Sequence, residues 1–75
     1  MNKARRKQLE KWIKDLEKIK SELESICSDE EEAFDNMPEG VQGSQNGMNS
    51  EEAIDQMNEA ISCLEEAVEC VEGII

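Results

Sequence analysis

This chain has no histidine and no tyrosine, and it has one tryptophan, one phenylalanine and one proline in 75 residues. Without histidine it lacks the commonest general base near neutral pH and the commonest zinc ligand. The three cysteines are an odd number and form no C-x-x-C pair. On a helix, Cys63 and Cys70 stand two turns apart, roughly 10 Å along the axis, beyond the separation a disulfide spans. With Cys27 they read as small apolar packing residues of a protein kept in a reducing compartment. No apolar run approaches the roughly 18 residues of a membrane span. The basic start leads into no apolar stretch of the secretory-signal kind. A cytoplasmic protein, away from the membrane, is the expectation.

Basic residues are also missing from most of the chain. All eight lie between Lys3 and Lys20, where three acids accompany them for a balance of +5. Residues 21–75 hold sixteen acids and no base, which brings the net charge to −11. Charge segregated in this way predicts that one end of the molecule meets another end, or meets an anion. It argues against direct nucleic-acid binding, because phosphate contacts would have to overcome the acidic field.

What the chain has in abundance is heptad spacing. Leu9, Trp12, Leu16, Ile19, Leu23, Ile26, Glu30, Ala33 and Met37 follow one another at steps of three and four, with Glu30 the one polar member. A second row, Ile13, Lys20, Cys27 and Phe34, widens this face. Ile54, Met57, Ile61, Leu64, Val68, Val71 and Ile75 repeat the pattern, flanked by Ala53, Ala60, Ala67 and Ile74 on one side and by Cys63 and Cys70 on the other. The spacing predicts one helix over about residues 4–37, a loop over 38–49 and a second helix over about 50–73. Pro38 stops the first helix. Asn49 or Ser50 is the expected N-cap of the second, with Glu51 and Glu52 suited to its first turn. Ser28 opens a sequence resembling a capping box, but the in-phase pattern favours a continuous first helix.

The expected fold is therefore all-α, one domain built as an antiparallel helical hairpin. Two wide apolar faces lack a third layer, so hairpins are expected to pair into a coiled-coil-like four-helix bundle, as a homodimer or higher homo-oligomer. Unequal helix lengths leave the basic first two turns of the first helix overhanging, with ion pairs to Glu65, Glu66, Glu69 and Glu72 expected behind them. Paired carboxylates abound because acids abound, and they read as a solvated face rather than as catalytic or metal-binding groups. No enzyme activity, cofactor or metal is expected.

The stretch between the helices is different. It combines Phe34 and Met37 with Asp35, Asn36, Gln42, Gln45 and Asn46, and with Gly40, Gly43 and Gly47, which permit positive φ and close backbone approach. The segment Ala33-Phe34-Asp35-Asn36-Met37-Pro38-Glu39 with Gln42 resembles a loop motif of small acidic two-helix proteins of phages, prophages and Firmicutes. No activity is firmly attached to that group. The resemblance implies a phage setting, in which small oligomeric proteins act against host immunity by sequestering nucleotide-derived signals. On that basis the expected function is anti-defence binding of a phosphate-containing ligand in an intersubunit pocket. Its expected site residues are Arg5, Arg6 and Lys7 from one copy and Phe34, Asp35, Asn36 and Gln42 from another. The alternatives are an acidic protein-binding inhibitor or nucleic-acid mimic, and a structural coiled-coil assembly protein.

Overall fold

The computed structural model describes all residues, 1–75, as an all-helical hairpin without strands. Helix α1 spans Lys3–Asp35, α2 is a single turn over Glu39–Gln42, and α3 spans Gln45–Glu72. The body measures 58 × 15 × 12 Å with a radius of gyration of 17.1 Å. A compact domain of this length would have a radius near 11 Å. The hairpin is a rod, and its length is that of α1.

Helix α1 begins where Asn2 accepts the Arg5 backbone N–H at 2.8 Å. It runs through Ser28 unbroken and ends at Asn36, whose N–H reaches the Glu32 and Phe34 carbonyls. Pro38, which cannot donate to those carbonyls, opens α2 by accepting the N–H groups of Val41 and Gln42 at 2.8 and 3.0 Å.

The segment expected to be a loop over 38–49 is largely helical. Its N-cap is Ser44, which receives the Gly47 N–H at 3.5 Å, rather than Asn49 or Ser50. Residues Gln45–Asn49 carry no apolar period, so hydrophobic spacing alone starts this helix too late. None of the glycines adopts positive φ. Gly47 is needed instead for space, since a Cβ there would fall on the Gln42 carbonyl oxygen. The α2 turn thus packs directly on the first turn of α3.

The two helices meet along a narrower row than the sequence predicts. On α1 the residues turned toward α3 are Leu9, Ile13, Leu16, Lys20, Leu23, Cys27, Glu30 and Phe34, all buried or half-buried, and Met37 just past its end is half-buried too. Trp12, Ile19, Ile26 and Ala33, expected in the seam, are exposed. One of the two expected rows is shared, and Ile13, Lys20, Cys27 and Phe34 complete it. On α3 the seam runs Gly47, Ser50, Ile54, Met57, Ile61, Leu64, Val68 and Val71, continuing the expected heptad two positions upstream through small residues. Ile75 lies past the end of α3 and is exposed.

Three polar contacts punctuate this seam. Lys20 Nζ lies 3.2 Å from Glu65, the Cys27 thiol donates to Asn58 at 3.6 Å, and the Ser50 hydroxyl donates to Glu30. Ser50 is only 5% exposed. A polar pair inside an apolar seam is satisfied in one register and broken in its neighbours, so these contacts set the alignment of α1 on α3.

Two consequences are testable. Ile13→Ala removes one of the few well-buried apolar side chains and should cost about 2–5 kcal/mol in chemical denaturation. Gly47→Ala should also destabilise, by about 1–3 kcal/mol from overpacking. Alanine is ordinarily the better helix former, so a rise in stability for Gly47→Ala would disprove the close approach of α2.

Candidate functional site

The residues expected to bind ligand lie at opposite ends of the rod. Arg5, Arg6 and Lys7 occupy the second turn of α1, and all three are exposed. Phe34 and Asp35 close the same helix 29 residues later, roughly 43 Å away at the helical rise. Within one chain the structure does not bring these groups together.

At the loop end, Phe34 is half-buried in the seam, while Asp35 and Asn36 are exposed. Gln42 is not a free loop amide. Its Nε2 donates to the Phe34 carbonyl at 3.0 Å, capping the end of α1 and tying α2 beneath it. Of the other loop amides, Gln45 donates to Asn49 at 2.8 Å within α3.

At the open end, α3 stops before it covers the start of α1. Val71, in its last turn, lies beside Leu9 and Trp12. The expected pairing of the basic cluster with Glu65, Glu66, Glu69 and Glu72 does not form. Lys20 contacts Glu65 at 3.2 Å and Glu24 at 3.7 Å, and no other ion pair forms within 4.0 Å. The hydrogen bond that Lys20 donates to Glu65, helped by the charges of Glu65 and Glu24, holds its ammonium above the ordinary lysine pKa. Lys3, Arg5, Arg6, Lys7, Lys11 and Lys14 keep their charge unpaired.

One of these free cations, Arg5, lines an apolar hollow of about 430 Å³ together with Met1, Gln8, Leu9, Trp12 and Val71. Arg5, Gln8, Leu9 and Trp12 stand at i, i+3, i+4 and i+7, so one helical face presents a guanidinium, an amide and an indole together. Trp12 is 42% exposed. Of the lining residues only Arg5 was expected in a site. Heptad reading assigns Trp12 to the core, whereas it lies on the same exposed row as Ile19 and Ile26.

A second hollow, lined by Glu17, Lys20, Glu65, Val68, Glu69 and Glu72, is acidic, and its one cation is already held by Glu65. No three Cys, Asp or Glu side chains converge as a metal site would require. No helix is long and apolar enough to cross a membrane. Comparison with protein-family models, curated proteins and solved structures finds no match to this chain.

Cys27 is 3% exposed. Burial, with the neighbouring Glu31 carboxylate, raises its thiol above the ordinary cysteine range. Cys63 and Cys70 are exposed. In the native protein at neutral pH a maleimide should therefore label two thiols rapidly, and the third only after denaturation, because the thiolate is the reactive form. Three equally fast labelling events by mass spectrometry would contradict the buried seam.

Proposed function

We propose that this chain is a non-catalytic binding protein that works as a homodimer in a four-helix bundle and sequesters a phosphate-containing, nucleotide-derived ligand. The observation carrying this reading is the open-end hollow, where an unpaired Arg5 shares one face with Gln8 and Trp12. A guanidinium binds phosphate through parallel hydrogen bonds. An indole offers a face on which a base can stack, and an amide matches base or ribose edges. The hollow falls within the roughly 300–1,000 Å³ of small-ligand sites. Trp12 takes the aromatic role in place of Phe34, which supports the seam. Asp35 and Asn36 would contribute from the second copy. The resemblance of the Ala33–Glu39 segment to phage and prophage proteins supports an anti-defence setting in the bacterial cytoplasm, with an immune signal as the ligand.

A second reading draws on a different observation. Residues 21–55 carry eleven acids and no base, a surface suited to occupying the basic groove of a protein or imitating a nucleic acid.

Thermal melting against a nucleotide library separates the two. Ligand held only by the native state should stabilise it by about 2.7 kcal/mol at a hundredfold excess over Kd. Arg5→Ala and Gln8→Ala, both at exposed positions, should abolish that gain without changing the melting point of the free protein. If no nucleotide raises the melting point and a host protein co-purifies in a salt-sensitive manner, the acidic-inhibitor reading replaces this one.

A further inference from the structure

One long face of the hairpin is left uncovered. Every seventh residue of α1 from Arg5 falls on it: Trp12, Ile19, Ile26 and Ala33, all exposed, with Ile19 at 50% and Ile26 at 58%. On α3 the row Ala53, Ala60, Ala67 and Ile74 adjoins the row that ends in Val71. Val71 and Trp12 line the same hollow, so the alanine row borders the same side of the molecule. Large apolar side chains stand on one helix and small ones beside them on the other, the relief into which a further helix layer packs.

The surface area points to the size of the missing layer. The hairpin exposes 5614 Å², whereas a folded chain of 8.5 kDa exposes about 4,700 Å² by the scaling of surface with mass. The excess, about 900 Å² per chain, is close to the roughly 800 Å² that each partner buries in a standard specific interface.

Charge then selects the occupant and its direction. Helix α1 is polarised, with +5 over residues 3–20 and seven acids without a base over residues 21–35. A second copy laid with its loop at the same end would set two regions of eleven acids against each other, which like-charge repulsion opposes. A copy laid the other way sets each positive half of α1 on the negative half of its counterpart.

We infer that this face is covered by a second copy of the same chain, with α1 antiparallel on α1 and Ile19 at the two-fold axis. Ile19 is the central residue of Lys3–Asp35, so this register overlaps α1 along its whole length and leaves no basic turn unpaired. Trp12 of each copy comes level with Ile26 of the other, and Arg5 with Ala33. Ala33 is too small to fill the hollow at Arg5, so the dimer roofs that hollow without closing it. This inference rests on the homodimeric part of the proposed function and is independent of its ligand.

Sedimentation of the full chain should give twice the 8.5 kDa chain mass. In a Cys63→Ser, Cys70→Ser background, Ile19→Cys should convert most of the protein to a disulfide-linked dimer on mild oxidation. Trp12→Cys and Ile26→Cys chains should crosslink when mixed and not when separate. Ile19→Lys should halve the mass while keeping the helical circular dichroism, because the position is exposed in the hairpin. A dimer that keeps its mass in Ile19→Lys, or whose Ile19→Cys thiols fail to join, overturns this face and register but leaves the homodimer standing. A parent chain that sediments as a monomer overturns both. Nucleotide stabilisation measured on that same sample decides the ligand separately.

Discussion

The hydrogen bond from the Ser50 hydroxyl to the Glu30 carboxylate occupies the seam near the loop end, where a half-buried charge would otherwise meet apolar side chains. Leucines and isoleucines repeating every seven residues pack nearly as well after a slip of one heptad. A buried carboxylate does not, because the slip leaves it without a donor. With the Lys20–Glu65 and Cys27–Asn58 contacts farther along, this pair determines which residue of α1 faces which residue of α3. That alignment in turn decides where α3 ends, and so which part of α1 remains bare.

Two helices can cover only one side of each other. The consequence is visible in the burial pattern, where Ile13 and Cys27 are the only hydrophobic residues that reach a buried environment. Apart from Gly47 and Ser50, the rest of the seam is half-buried. The apolar rows of the uncovered face are as regular as those of the seam, and a coiled-coil heptad with three apolar rows in place of two is the pattern of a helix that serves two neighbours. The polarisation of α1 fits the same picture. Inside the hairpin, the acidic half of α1 lies against the acidic start of α3, an arrangement without electrostatic benefit. In the proposed dimer, the free cations of the second copy would face that acidic half.

The candidate site follows from the row of α1 that α3 leaves uncovered. Arg5 and Trp12 stand on the same row as the exposed Ile19 and Ile26, so with Gln8 they face open space beside Val71 in the last turn of α3. An indole in a complete bundle would be core. Here the same residue lines a hollow with the unpaired Arg5. At the other end, Gln42 and Gly47 are committed to holding α2 in place, so the turn region is a built cap, and the polar groups it keeps free are those of Asp35 and Asn36.

Heptad spacing and the charge split are properties of the chain as written. They determine two antiparallel helices, the stop at Pro38 and the overhang of the basic turns, because apolar burial and proline geometry act locally. The continuity of α1 through Ser28 was legible for the same reason. Spacing alone does not say which two of three adjacent apolar rows face the partner, and Trp12, Ile19 and Ile26 passed for seam residues on that account. It also misses Gly47 and Ser50, since a seam position filled by a small or polar residue carries no hydrophobic signal. Only the tertiary structure decided those points, through three polar pairs that hold one register and through a glycine that admits a backbone carbonyl where any side chain would collide.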